Sequence, residues 1–479
     1  MLFTSFKLEN FRGISQPVEI DFTKGNQDFP FVLVGNNESG KTTILKGIHS
    51  ISALCHGEEA ISALCRAEKV ENFDVFIRSK CAFFNKKTIL STRIFYDADD
   101  IKILKKAYSN KKKKYNKTFN DNGGTFELSF VYEFVSSTCK DKCTLIDNKC
   151  INNIDFIMKW IAERTPEIVY YDDFMFDVPD IIRFSKKGCG NEDPLLISQK
   201  NSQWQMILND LLVGSEYKRT EDSTLDFNID FQKDVVDCDD TDAVDQRLAA
   251  MNGYLNSVVK KDWVDITGDE RAPTKSAFTN CTFVIERPNS NFNSNFADFC
   301  LKIKAESNSF SVHERSKGFR WFFCFKIFTE IRTHRSKNGT VFLLDEPANN
   351  LHIYPQEKIL SCLQNLPQVE HNKVIYSTHS PYLIDENSLV NLFSVYNEAN
   401  DFEESKIICE NFFELSHTPK AARSIDPIIQ KLCISEIKKG GINLNDKLSQ
   451  LADAAGKGNQ IIEFIRNVGY ILTITNLVS

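Results

Sequence analysis

Apolar and polar residues alternate through Phe3-Thr-Ser-Phe-Lys-Leu-Glu-Asn-Phe11, the chain turns at Arg12-Gly13, and Val18-Glu-Ile-Asp-Phe22 alternates again. A period of two on either side of a turn predicts two antiparallel strands, each with one buried face. Phe29 to Val34 is instead continuously apolar, as a strand covered on both faces requires, and it runs into a glycine-rich loop. Thr43 to Leu54 then has helical spacing, so the prediction is strand, loop and helix. Two copies of Ile-Ser-Ala-Leu-Cys, at 51–55 and 61–65, are too short to define a repeat array and read as one helix and its sequel.

Residues 73–97 and 125–136 alternate like strands of a meander, and 151–164 reads as a helix. Glu167-Ile-Val-Tyr-Tyr-Asp172-Asp173 reads as a buried strand ending in carboxylates. From about 190 to 275 the pattern is mixed, with helices near 203–213 and 243–261. Strands return at 281–286 and 298–305, followed by a helix over 317–335, an apolar strand at Thr340 to Leu344 and another at Lys373-Val-Ile-Tyr-Ser377. Beyond residue 400 the chain reads as mostly helical, with amphipathic spacing from Ile428 to Ile437.

At 479 residues the chain exceeds what one core usually supports. A formal charge of −7 and a pI near 5.8 exclude a globally basic nucleic-acid coat, so any DNA contact must use a local face. The basic run Lys111 to Lys117 and the acidic tract Asp237-Cys-Asp-Asp-Thr-Asp242 both read as solvated segments rather than as a DNA grip or a metal site. Fourteen cysteines are scattered from Cys55 to Cys433 without a signal peptide, which predicts reduced thiols in a cytoplasmic, soluble protein. Cys139, Cys143 and Cys150 lack paired short spacings and a nearby histidine, so small buried hydrophobes are expected there rather than zinc ligands. No apolar run approaches the ~18 residues of a membrane span.

Chemistry enters with Gly35-Asn36-Asn37-Glu38-Ser39-Gly40-Lys41-Thr42-Thr43. Glycines at these spacings let backbone N–H groups wrap a phosphate at the start of a helix. Lys41 would neutralise the β and γ phosphates, and the Thr42 hydroxyl would complete an Mg²⁺ shell. The loop sits between a predicted strand and a predicted helix, the context this motif needs. Far downstream, Val341-Phe-Leu-Leu-Asp345-Glu346-Pro347 ends an apolar strand in two carboxylates: Asp345 placed to reach Mg²⁺, Glu346 to polarise the attacking water of ATP hydrolysis. His379, in Ser377-Thr-His-Ser-Pro381 one strand further on, is placed to touch a γ-phosphate.

These residues carry a resemblance. Leu8-Glu-Asn-Phe-Arg12-Gly13-Ile, the Gly35 to Thr43 loop, Leu343-Leu-Asp-Glu-Pro347 and Ser377-Thr-His-Ser-Pro-Tyr-Leu383 are similar to the motifs of ABC-type ATPase heads of the RecF, SMC and OLD (overcoming lysogenisation defect) group, and span residues 1 to about 390. Arg315-Ser316-Lys-Gly318-Phe-Arg-Trp-Phe322 resembles the OLD form of the signature loop. The resemblance implies an α/β P-loop NTPase head with a mixed central sheet and antiparallel N-terminal strands. It also implies that Ser316 and the backbone of Gly318 contact the γ-phosphate held by a second subunit, hence a homodimer or higher oligomer closing on ATP. Asn349, Asn350 and His352 match the loop that crosses that interface. The implied organisation is a first head segment over 1–175, a helical insertion serving as arm or dimerisation element over 176–275, a second head segment over 276–400, and a helical, partner-binding region over 401–479.

Two features depart from the group. No glutamine loop is recognisable after the P-loop, although Asp172-Asp173 ends a strand that could reach the site. After residue 385 neither the Glu-Gly turn nor the Asp-x-Asp strand end of a TOPRIM nuclease domain occurs. An OLD-type signature without that domain resembles the ATPase of Septu-, Gabija- or PARIS-like antiviral systems. The expected role is then an ATP-driven switch that engages DNA and controls a separate effector, an HNH or TOPRIM nuclease or a toxin. The alternative is a RecF- or SMC-like ATPase that clamps DNA in repair or chromosome maintenance. A stand-alone nuclease would need a metal-spaced carboxylate set beyond the ATP site.

Overall fold

The computed structural model describes residues 1–79, 87–110, 119–135, 138–150, 154–171, 178–187, 195, 196, 198–220, 229–267, 281–288, 295–305, 308–331, 338–348, 351, 353–399 and 405–414, with isolated positions at 420, 424, 427, 428 and 431. The chain divides into two compact units: 1–171, 338–349 and 359–479 in the first, 172–337 and 350–358 in the second.

In chain order the principal elements begin with β1 (Leu2–Glu9), β2 (Val18–Asp21), β3 (Phe31–Val34), α1 (Lys41–His56), α2 (Glu58–Ala67), α3 (Phe73–Ile77), β4 (Lys87–Tyr96), α4 (Ala98–Asn110) and β5 (Gly124–Val135). Then come β6 (Thr138–Ile146), β7 (Lys149–Cys150), α5 (Ile154–Arg164), β8 (Glu167–Tyr171), β9 (Ile182–Ser185), α6 (Gln199–Thr220), α7 (Thr241–Thr267), β10 (Cys281–Glu286), β11 (Phe296–Ala305) and β12 (Asn308–Ser311). The last are α8 (Lys317–Lys326), β13 (Thr340–Leu344), β14 (Lys373–Thr378), β15 (Leu392–Asn397) and β16 (Ile407–Asn411).

The first unit holds two sheets. The expected pair β1 and β2 is antiparallel, with Phe6 opposite Ile20, and it opens an antiparallel sheet of order β2-β1-β4-β5-β6-β7. The second sheet has the order β16-β15-β3-β14-β13-β8; all its pairings are parallel except that of β16 on β15. One apolar cluster joins Phe6 and Leu8 of the first sheet, and Phe11 just after β1, to Ile44, Leu45 and Ile48 of α1, and these to Leu33, Leu343 and Ile375 of the second. Helix α1 is therefore clamped between the sheets, each such buried side chain contributing about 1.5–3 kcal/mol. The α/β architecture with antiparallel N-terminal strands is the one the motifs implied.

Several local expectations change. Residues 73–77 form a helix, not a strand, because the Asn72 side chain accepts from the backbone N–H of Asp74 at 2.7 Å and caps it. The two similar pentapeptides do lie on successive helices, parted at Gly57, whose φ of +90° is open to glycine. The region beyond 400 is not simply helical: β16 is an edge strand of the mixed sheet. Most of 428–437 lies outside the described residues, as does Lys111 to Lys117.

In the second unit β10, β11 and β12 form an antiparallel sheet, and β9 pairs with β11. The expected helical insertion thus carries a strand as well as α6 and α7, which pack on each other. Asn252 and Asn256, one turn apart on α7, bond to the β10 backbone: Asn256 accepts from Phe283 N at 2.9 Å and donates to Phe283 O at 2.7 Å, and Asn252 accepts from Ile285 N at 2.7 Å. A helix so satisfies the exposed edge of a strand. The acidic tract is spent on the backbone: Asp237 accepts from Lys187 N and Asp240 from Ala243 N, at 2.9 and 3.1 Å. Among the described residues no helix is long and apolar enough to cross a membrane.

Candidate nucleotide-binding and hydrolysis site

Parallel pairing puts the C-terminal ends of β3, β13 and β14 side by side, and each end carries one predicted site segment. The loop after β3 leads into α1, whose N-cap Gly40 has a φ of +105°, and among the described residues no side chain caps the helix. The first-turn N–H groups, which lack intrahelical partners, are left for an anion. A Cβ on Gly40 would sit 2.5 Å from Ile407 Cδ1 of β16, and one on Gly35 would strike the Val395 carbonyl of β15. The C-terminal strands therefore hold the loop from behind, and both glycines are required by close approach. Ser39 is buried, with its Oγ lacking a hydrogen-bond partner among the described residues, whereas Asn36, Asn37 and Glu38 are exposed. An orphaned hydroxyl, an uncapped helix start and a cradle without room for Cβ atoms fit a phosphate group.

Lys41 is 5% exposed. Its Nζ donates to the carbonyls of Gly35 and Asn36 at 2.8 and 2.9 Å and lies 3.0 Å from Glu346 Oε1. Glu346 follows β13 with a φ of 47°, and Ala348 beyond Pro347 has a φ of 70°. Left-handed backbone at two non-glycine residues costs about 1–3 kcal/mol each and concentrates at functional sites; here the turn points Glu346 at the P-loop lysine. The second carboxylate oxygen, Oε2, is 2.8 Å from His379 Nδ1. Burial pushes the Glu346 carboxyl upward, but the His379 hydrogen bond and the Lys41 charge outweigh it and hold the group below the usual carboxylate range. Nδ1 of His379 accordingly carries the proton it donates.

Asp345, 8% exposed, is fixed at both oxygens. Ser377 Oγ donates to Oδ1 at 2.6 Å and Tyr170 OH to Oδ2 at 3.2 Å, while Asp345 N donates to Tyr171 O at 2.8 Å. Ser377 Oγ also accepts from Glu346 N at 2.8 Å, which ties the two acidic residues to the His379 strand. Thr42 is the exposed second residue of α1, and Thr43 is half-buried. The Thr42 hydroxyl and the Asp345 carboxylate offer oxygen donors, the kind a hard cation such as Mg²⁺ takes.

The structure thus brings together Lys41, Asp345, Glu346 and His379. Ser316 and Gly318 belong to the second unit. There Ser316 is the N-cap of α8, its Oγ accepting from Phe319 N at 3.3 Å, and Gly318 lies in the first turn. Asn349, Asn350, His352, Asp172 and Asp173 lie outside the described residues. Sequence reasoning missed the parts played by Ser377 and Tyr170, and the Val395 and Ile407 backing of the loop. A tyrosine near the end of a strand beside the acidic one was a usable signal; nothing in the local pattern marked Ile407.

A glycine loop between a parallel strand and a helix, with a buried lysine paired to a strand-ending carboxylate, defines a P-loop nucleotide-binding ATPase fold. The family model described as AAA ATPase domain matches residues 1–181 and 184–384, and the chain belongs to that family. No curated protein matches the chain. Among solved structures, it resembles an Smc head bound to the C-terminal winged-helix domain of ScpA, at 13% identity, covering 86% of this chain and 98% of that one, with a TM-score of 0.47. It also resembles an Smc head with an extended coiled coil bound to the C-terminal domain of ScpA from Pyrococcus furiosus (13%, 86% and 96%, TM-score 0.43). A third is the SMC head domain from Thermotoga maritima (12%, 85% and 98%, TM-score 0.39).

Proposed function

We propose that the chain hydrolyses ATP as an ABC-type switch. The observation that carries the reading is Glu346, one carboxylate oxygen on Lys41 and the other on His379, beside an Asp345 fixed at both oxygens. Thr42 and Asp345 would hold Mg²⁺, which supplies charge neutralisation at the phosphates. Glu346 stays ionised at neutral pH and so can orient and deprotonate a water. Its lowered pKa makes it a weak base, and Lys41 is one cause; a lysine drawn onto phosphate oxygens would return basicity to Glu346 as ATP is engaged. His379 would follow the same phosphate.

Ser316 and Gly318, at the start of α8, would serve the nucleotide of a second copy, so that two heads close on ATP and part after hydrolysis. The Arg315 to Phe322 run, with its likeness to the OLD signature, supports a place in an antiviral system, where this ATP cycle controls a separate nuclease or toxin. The test is reconstitution with the proteins encoded beside it. ATP-dependent control of a nuclease or toxin activity is expected, and its absence would sink the reading. A deletion strain sensitive to DNA damage, with phage resistance unaltered, would move the chain to a DNA-clamping role in repair.

A further inference from the structure

We infer that Tyr170 is a positioning residue for the divalent cation of the nucleotide site, acting through Asp345; the inference rests on the ATPase reading above. Tyr170 lies on β8, which runs parallel to β13 with Tyr170 opposite Leu343, two residues before Asp345. From there its hydroxyl donates to Asp345 Oδ2 at 3.2 Å, while Ser377 Oγ takes the other oxygen at 2.6 Å. Two neutral donors on opposite oxygens set the plane of the carboxylate without competing for its charge. A carboxylate that must meet a cation of strict geometry gains from such outer bonds, whose loss typically costs about 10- to 100-fold in metal affinity or activity.

The ring is held as well as the hydroxyl. Tyr170 stacks on His49 of α1, with centroids 5.5 Å apart and planes inclined by 23°. Burial, with the nearby Lys46 charge, pushes His49 down to about 4, so the stacking partner is neutral near pH 7 and adds no cation beside Asp345. The helix that opens with Lys41 and Thr42 thus also steadies, two turns later, the ring that orients Asp345.

Tyr170→Phe removes the hydroxyl and leaves the ring for His49. Mn²⁺ bound to the protein in the presence of ADP, read by electron paramagnetic resonance, should weaken about 10-fold in Tyr170→Phe. ADP affinity in EDTA and the melting temperature should stay at wild-type values, and Asp345→Asn should abolish the Mn²⁺ signal. Unchanged Mn²⁺ affinity in Tyr170→Phe, with the wild type binding Mn²⁺ through Asp345, overturns the inference alone. Equal loss of ADP affinity in EDTA also overturns it, because the residue would then be structural. If the wild type binds neither ADP nor Mn²⁺, the ATPase reading fails and the inference with it.

Discussion

The first unit and the second solve different problems with their motif residues. In the first, side chains from three neighbouring parallel strand ends meet directly: Lys41 on Glu346 at 3.0 Å, Glu346 on His379 at 2.8 Å, Asp345 on Ser377 at 2.6 Å. In the second, Ser316 does local work, capping the helix it begins. One motif set is assembled by tertiary pairing within its own unit, whereas the other is a helix start that, on the proposed reading, would act on the nucleotide of a second copy. Substitutions in the first should therefore act on the nucleotide held by the same subunit. Those in the second should leave binding intact and act only on turnover.

The largest effect sharpens the division of labour within the first unit. Lys41→Ala should abolish nucleotide binding, as fluorescent-ATP titration reads, whereas Glu346→Gln should keep it and slow hydrolysis by about 10²- to 10⁴-fold. Normal turnover in Glu346→Gln would remove Glu346 from the chemistry. Next comes Ser316→Ala, for which single-subunit ATP affinity should be unchanged and steady-state turnover lost. Its separate cost as a helix cap is about 1 kcal/mol, measurable by urea unfolding. A fall in ATP affinity matching that of Lys41→Ala would erase the contrast between the units.

The smallest effect concerns pH. Glu346 has a folded-state pKa below its ordinary 4.5, so it contributes stability that is fully present above that value and is lost as pH falls through the folded pKa. The stability advantage of the wild type over Glu346→Gln should shrink as pH falls below about 4.5, where the carboxylate that Lys41 and His379 face is protonated. Unfolding curves below that value decide this, and an advantage that is undiminished as the Glu346 carboxylate is protonated would contradict its pairing with Lys41 and His379.

The contrast also explains what could be read in advance. Lys41, Asp345, Glu346 and His379 could be singled out because each stands in a short motif that follows an apolar strand within a few residues, and such motifs can be read without knowledge of the fold. Residues 73–77 misled because their alternation suits a strand, while one Asn72 cap decided for helix. Ile407 gave no signal: its role comes from packing against Gly40, a long-range contact with no local signature. Tyr170 was visible as part of a strand, but its bond to Asp345 depends on β8 lying beside β13, which periodicity cannot specify.

The most direct test of the central claim, that the first unit holds the nucleotide and its attacking base while the second unit of another copy completes the site, is a mixing experiment. Lys41→Ala and Ser316→Ala subunits, each inactive by itself, are combined and ATP hydrolysis is measured. A mixed pair contains one intact P-loop facing one intact signature serine, so partial activity should return. Mixtures that stay as inactive as their components, although the subunits associate, would contradict the account.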